Sequence, residues 1–385
     1  MKKLLIASAA LAMVAGTAQA QSSVTVYGLI DMGYAASDNT STTGAGVSSS
    51  VKQKNTGAGD GALATSRFGV RGSEDLGGGR KANFVLEYDL VDVGVGANGN
   101  APGSATAADA ATTTNAAASG FGARYSWVGL EDAKLGQVRL GRQEQSMHSV
   151  VCANSAASCN NVAGAAYSGG FTGMPNDSSV RAHNVWLNRA ITYISPNLSG
   201  LTIEVQTANH DVNNAGTTTY AKETGGSLKY SVGKLSLAAS VADTDLQGSS
   251  TTVENQKQQA FAANYDLGMV RVFALNQQRK IKDIDAGTLT SKTEVTEVGV
   301  QVPMGKTMFW ASTFDGDRDG SSTTAIASAK ADVKGFQLGA RYDLSKRTAL
   351  YAIYGEQEVK SNTVTGTNVA KTKSEGLALG VRHSF

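Results

Sequence analysis

Runs of strict alternation between apolar and polar residues recur along the chain. In "LTIEVQT", Leu201, Ile203 and Val205 oppose Thr202, Glu204 and Gln206, and in "KLSLAASVA", Leu235, Leu237, Ala239 and Val241 oppose Ser236, Ala238, Ser240 and Ala242. "EVGVQV" sets Val298, Val300 and Val302 against Glu297, Gly299 and Gln301, and "GFQLGARY" sets Phe336, Leu338, Ala340 and Tyr342 against Gln337, Gly339 and Arg341. A period of two is that of an extended strand with one greasy and one polar or small face. The pattern runs to the last residue: in "LALGVRHSF", Leu377, Leu379, Val381, His383 and Phe385 share one face. A soluble sandwich also alternates, so the strands alone do not choose a fold.

The punctuation between strands does. Short turn signals occur at "SEDLGGGRK", "LEDAKLGQ", "SPNLSGL", "YSVGKL", "YDLGMV", "VPMGKT" and "YDLSKR", seven in all. Between them lie eight long Ser/Thr/Asn/Ala/Gly-rich stretches, near residues 38–65, 92–122, 145–187, 210–221, 247–256, 281–291, 317–331 and 360–372. Short and long connections alternate throughout, which gives sixteen strands with both termini on the short-turn side. That is the signature of an all-β, 16-stranded antiparallel transmembrane barrel with short periplasmic turns and long extracellular loops. Tyr193, Tyr230, Tyr265 and Tyr342 each end a strand just before a short turn, on its apolar face, where an interfacial girdle belongs. The terminal Phe385 then sits on a last strand that closes against the first, "SVTVYGLIDMGY".

Composition agrees: glycine is abundant (44) and proline scarce (4), and no linker or change of character divides the chain. "MKKLLIASAALAMVAGTAQA" reads as a secretory signal, with Lys2 and Lys3 ahead of an apolar core and Ala18-Gln19-Ala20 as the cleavage site. The expected division is a signal peptide at 1–20 and one barrel domain at 21–385. Without those two lysines the basic residues number 32 and match the 32 acidic ones, so the charge suggests no nucleic-acid partner. After Ala20 no apolar run reaches the length of a membrane-spanning helix.

With these elements in place, the chain resembles the general porins of Gram-negative bacteria, most closely the neisserial and β-proteobacterial type. The resemblance is carried by Gln21-Ser22-Ser23-Val24-Thr25-Val26-Tyr27-Gly28, "SRFGVRGSEDLGGG", "GLED" at Gly129–Asp132, "VRLGRQ" at Val138–Gln143, "YISPNLSG" at Tyr193–Gly200 and the terminal "GVRHSF". It covers essentially the whole mature chain. It implies a homotrimer in outer-membrane lipid whose third extracellular loop folds into the lumen and narrows the pore. It also implies assembly by the barrel-assembly machinery, which in this family reads the terminal aromatic strand ending here at Phe385.

The third loop corresponds to roughly 145–187, the longest gap between strands. It holds Cys152 and Cys159, and two cysteines this close in an exported protein are expected to form a disulfide. Two thiols are too few for a structural zinc site, and His148 alone does not complete one. Conduction chemistry is expected from charged lumen residues. Alternation turns Arg67 and Arg71 inward, opposite Phe68 and Val70; Arg124 and Ser126 oppose Tyr125 and Trp127, and Arg139 opposes Val138 and Leu140. The resemblance places part of the family's basic wall cluster on the second and fourth strands. Asp31, Glu87 and Asp89 face inward, and the long loop offers Glu144 and Asp177. Many relatives carry a basic residue where this chain has Thr192; Arg189 is a nearby substitute of ambiguous facing. A weak anion preference is expected, against the competing reading that these arginines are solvated wall residues without selectivity.

Other chemistry finds little support. His148, His183 and His210 lie in or beside long loops and His383 faces outward, so no paired arrangement for hydrolysis is visible. "PMGKT" has Val300 where a phosphate-binding loop needs glycine, and it sits in a tight turn. A non-conducting surface adhesin or structural barrel is the alternative, with the loops at 38–65 and 92–122 facing outward. The expected function is passive diffusion of ions and small hydrophilic solutes, with no cofactor, metal or catalytic step.

Overall fold

The computed structural model describes residues 22–44, 48–90, 121–165, 183–214, 217–247, 253–283, 289–321, 328–363 and 369–385. The strands are β1 (Ser23–Gly44), β2 (Ser48–Asp60), β3 (Arg67–Gly77), β4 (Arg80–Leu90), β5 (Phe121–Asp132), β6 (Gly136–Glu144), β7 (Trp186–Ile194), β8 (Leu201–Asn214) and β9 (Thr217–Val232). They continue as β10 (Leu235–Gln247), β11 (Val253–Asp266), β12 (Arg271–Asp283), β13 (Leu289–Met304), β14 (Thr307–Ser321), β15 (Ser328–Asp343), β16 (Thr348–Thr363) and β17 (Val369–Ser384). One helix, α1 (Ser146–Ala153), follows β6.

Seventeen segments make sixteen staves. β2 and β3 both pair antiparallel to β1, β2 along Met32–Gly44 and β3 along Ser23–Leu29, so together they form one interrupted stave. From β3 onward each strand pairs with the next, and β17 returns to β1 from Leu29↔Ser384 to Thr42↔Lys371. The Phe385 amide donates to the Gly28 carbonyl at 3.0 Å and the Gly28 amide to the Phe385 carbonyl at 3.3 Å, so the terminal residue completes the seam. Closing the seam leaves no open edge between the last strand and the first, which is what lets a sheet cross a bilayer.

The interruption at 61–66 is built around Asp31. Its Oδ2 accepts from the amides of Leu63 and Ala64 at 2.9 and 2.6 Å, and its Oδ1 accepts from the Tyr351 hydroxyl. Gly61 supplies the positive φ of +83° that lets the chain leave the ladder.

The outer surface is apolar. Val24, Leu130 and Leu338 stand 50–67 % exposed on it, an arrangement that only a hydrocarbon surround makes favourable. Tyr193, Tyr230, Tyr265 and Tyr342 are also exposed, and Tyr193 donates to the Leu135 carbonyl of a short turn at 2.9 Å. The buried apolar residues lie inside the barrel, where Met147, Val150 and Val151 of α1 pack on Leu275, Val295, Phe314 and Val333 of the inner wall.

Several stretches expected as loops are strand. β1 and β2 form a hairpin through most of 38–60, and β8, β9, β12, β13, β16 and β17 extend beyond the expected strand ends. Beyond the bilayer a strand needs no apolar face, so the alternation that marks it disappears. The expected signal peptide and most of the 92–122 loop lie outside the described residues.

Candidate functional site

The chain leaves β6 at Glu144 and turns inward. α1 has no capping side chain; instead the Ser146 amide donates to Gln206 Oε1 at 2.7 Å, so the wall satisfies one of the helix's first-turn donors. The loop then tracks the inner wall, fastened by inward-facing polar side chains. Lys229 donates to Ser149 Oγ at 2.8 Å, Asn264 to Asn154 Oδ1 at 2.8 Å, Ser155 to Glu297 Oε1 at 2.6 Å and Gln301 to the Ala156 carbonyl at 2.8 Å. Gln337 donates to the carbonyls of Val162 and Ala163 at 2.9 and 3.0 Å and accepts from the Trp310 indole at 3.0 Å. Gly355 has no room for a side chain, since a Cβ there would meet the Ala163 carbonyl.

The two ends of the loop meet. The Gln145 amide donates to the Val185 carbonyl at 2.7 Å, and Gln145 Nε2 donates to Glu223 Oε1 at 2.7 Å. His148 Nδ1 and His183 Nε2 are 3.0 Å apart, and His183 Nδ1 is 3.0 Å from Gln277 Oε1. This histidine pair was invisible to sequence reasoning, because 35 residues separate its members. Cys152 and Cys159 are joined by a disulfide with Cα atoms 4.9 Å apart, closing a small sub-loop.

Beside the loop stands a wall of arginines. Arg67 and Arg71 project from β3 into the lumen, in register with Asp89 and Val85 of β4. Arg124 of β5 arrives there by a different route from strict alternation. Tyr125 and Trp127, not Ser126, share the inner face, and Ser126, Val128 and Leu130 face outward. The register slips between Glu87 and Tyr88, so Arg124 is the extra residue of a bulge and is re-aimed inward. Its Nε donates to Glu87 Oε1 at 2.7 Å and its Nη1 to Asp89 Oδ1 at 2.9 Å. Arg67 Nη1 lies 3.7 Å from the same Glu87 oxygen, and the Tyr27 hydroxyl donates to Glu87 Oε2 at 3.0 Å.

Arg71 and Arg139 are held by rings. Arg71 lies 5.1 Å from the Tyr27 centroid and Arg139 4.5 Å from that of Trp127, with Arg139 Nε donating to Gln137 Oε1 at 2.7 Å. Among the described residues neither has a carboxylate within ion-pair distance. Both line a recess of about 330 Å³ with Thr25, Asn83, Val85 and Glu131. Glu144 sits at the loop mouth, its Oε1 3.7 Å from His148 Nε2. Thr192 is fully buried opposite Arg139, while Arg189 is exposed with φ of +52°. Asp177 lies outside the described residues. Tyr27, Trp127, Gln277, Glu297 and Gln337 complete the site and were not singled out from sequence; the one signal of Tyr27, Gln277, Glu297 and Gln337 is a polar or aromatic residue on the inner face of a strand, whereas strict alternation from Arg124 puts Trp127 on the outer face.

The sequence pattern of the Gram-negative porin family matches residues 7–362. The chain belongs to that family. The porin is 31 % identical to outer membrane porin protein 32 of Delftia acidovorans over the full length of both chains. It is 29 % identical to an outer membrane porin protein of Bordetella pertussis, again over both full lengths. Among solved structures, an anion-selective porin from Comamonas acidovorans superposes with a TM-score of 0.66 at 24 % identity, covering 95 % of this chain and all of the other. OmpT of Vibrio cholerae superposes with a TM-score of 0.60 at 13 % identity, covering 94 % and 98 %. The porin is an outer-membrane channel through which ions and small hydrophilic solutes diffuse passively.

Proposed function

We propose that this porin is weakly anion-selective, with its width set by the third loop and its charge preference by the arginine wall. The observation that carries this reading is the asymmetry between lumen charges. Glu87, Glu223, Glu297 and Asp31 are 0–4 % exposed and engaged in hydrogen bonds or ion pairs, whereas Arg71 and Arg139 line the recess with no carboxylate within ion-pair distance among the described residues, and Glu131, which shares the recess, accepts from Asn83 Nδ2 at 2.9 Å. A guanidinium stays charged in every setting met here, so it lowers the energy of a passing anion and raises that of a cation. The Comamonas acidovorans structure described as an anion-selective porin supports the same sign.

The porin functions in this reading as a homotrimer, which the trimer form of Vibrio cholerae OmpT supports. It is exported through a signal peptide at 1–20, cleaved before Gln21, and assembled by the barrel-assembly machinery acting on the strand that ends at Phe385. Solutes move down their gradients and no catalytic step is involved.

The test is the zero-current potential across a planar bilayer under a potassium chloride gradient, wild type against Arg71→Gln/Arg139→Gln. A sphere of the recess volume has a radius of about 4 Å, so an ion there lies roughly 5 Å from a guanidinium. At that distance in water, with screening at 0.1 M salt, each arginine is worth about 0.5 kcal/mol to each sign of ion. The two arginines, acting with opposite sign on the two ions, sum to about 2 kcal/mol, so the anion-to-cation ratio should fall by up to roughly 30-fold in the double variant; an unchanged ratio would remove the arginine wall as the filter.

A further inference from the structure

On the outer surface three lysines stand side by side on neighbouring strands. The ladder sets Lys257 of β11 directly opposite Lys280 of β12, and Lys280 directly opposite Lys292 of β13. Lys282, two residues beyond Lys280, shares its face and pairs with Asn255 of β11. The neighbours along these strands show that this face looks outward. Phe261, Tyr265 and Val298 are 42–51 % exposed on it, whereas Ala260, Ala262, Leu275 and Val295 of the opposite face lie in the cluster that packs on α1.

Like charges directly opposite one another destabilise a sheet, since their Cβ atoms are only about 5 Å apart. The carboxylates nearby do not cancel this row. Asp243 lies 3.5 Å from Lys257 Nζ, but Asp243 and Asp245 also share the Asn255 amide, at 2.5 and 2.8 Å. Glu294 lies 2.9 Å from Lys292 Nζ, and Asp319 of β14, which faces Lys292 in register, lies 3.9 Å from Lys330 Nζ. Lys280 and Lys282 are exposed, and among the described residues neither has a carboxylate within ion-pair distance. The excess positive charge therefore centres on β11 and β12.

The depth of the row identifies what meets it. Tyr265, in the girdle beside the short turns, lies eight residues along β11 from Lys257. That is about 27 Å of strand, or roughly 20 Å of height at a tilt of about 40°. The lysine stems reach further still, so their ammonium groups stand where an apolar band about 25 Å tall ends. This is the long-loop end of the barrel, hence the outer leaflet. Phe261, two rows beneath Lys257, offers apolar surface to the hydrocarbon below.

We propose that the outer face of β11 and β12 is a docking site for a phosphorylated lipid of the outer leaflet, its phosphate held among Lys257, Lys280 and Lys282 and its acyl chains running down past Phe261. A phosphate monoester carries a charge of about −1.5 to −2 and three acceptor oxygens, which suits three converging ammonium groups. Its binding relieves the repulsion within the lysine row. The site lies on the lipid side of the wall and uses none of the lumen charges, so it and the ion selectivity can fail independently.

The full-length protein in non-ionic detergent would be titrated with bisphosphorylated lipid A, with the dephosphorylated form of the same lipid, and with inorganic phosphate as competitor. Native mass spectrometry counts the lipid retained per chain. Retention of the phosphorylated lipid is expected, with at least about 10-fold weaker retention of the dephosphorylated form and no displacement by inorganic phosphate at equal concentration. Lys257→Gln/Lys280→Gln/Lys282→Gln should lower the affinity roughly 100-fold, since each lysine near an anionic surface contributes about a factor of five. Lys280→Gln alone, which removes a repulsive neighbour and leaves the ladder intact, should lower it about fivefold. Lys234→Gln/Lys306→Gln/Lys346→Gln takes the same charge from the short-turn rim and should bind as wild type. β-sheet circular dichroism reads the folding of each variant. Equal retention of both lipid forms, displacement by inorganic phosphate, wild-type affinity in the folded β11–β12 variants, or an equal loss in the rim variant would overturn the proposal.

Discussion

Replacing Gln337 by leucine should free the constricting loop while leaving the barrel intact. Gln337 is fully buried on the inner face of β15 and has no part in the strand ladder through its side chain. Its amide hydrogens serve Asn160 Oδ1 and the carbonyls of Val162 and Ala163, and its oxygen accepts from Asn160 and Trp310. Leucine has similar volume and satisfies none of them. Each buried group left without a partner costs about 1–3 kcal/mol, and lumen water would recover part of that. A net loss of about 3 kcal/mol on the loop side shifts its attached-to-detached equilibrium by roughly 150-fold. Single-channel recording reads the result: the variant should show larger and noisier conductance steps than wild type, with β-sheet content unchanged. Steps of identical size and noise would mean that Gln337 does not hold the constriction, and the reasoning from its hydrogen bonds would fail.

Arg124→Ala should destabilise the barrel by about 3 kcal/mol, because Asp89 loses the guanidinium paired with it and Glu87 is left with Arg67 at 3.7 Å and the Tyr27 hydroxyl; adding Glu87→Gln should restore part of the loss in thermal unfolding. Deleting Phe385 removes the pair of hydrogen bonds with Gly28 that completes the β17–β1 seam, and the yield of folded protein should drop; undiminished yield would show the seam to be dispensable.

The membrane-facing part of the barrel was legible because lipid imposes an apolar outer face, and period two with turn residues at every second connection follows from that. Strand extensions such as Ser48–Asp60 were not, since polar surroundings on both sides leave no alternation to read. The inward aim of Arg67, Arg71 and Arg139 could be read from Phe68, Val70, Val138 and Leu140. Arg124 reached the same wall through a bulge, a slip set by its pairing with β4, which a single strand does not reveal. The loop anchors were illegible for a related reason. Gln337 contacts residues about 175 positions away, and a glutamine on the polar face of a strand looks the same whether it meets water or a folded loop.

The central claim, a water-filled channel with an anion preference set by its arginine wall, is tested most directly by the zero-current potential of the purified wild-type protein in a planar bilayer under a potassium chloride gradient, with conductance steps recorded on the same membrane. Discrete steps are expected, with a potential of the sign produced by chloride moving faster than potassium. Steps with the opposite sign would contradict the role given to Arg71 and Arg139, and a membrane without steps would contradict the channel itself.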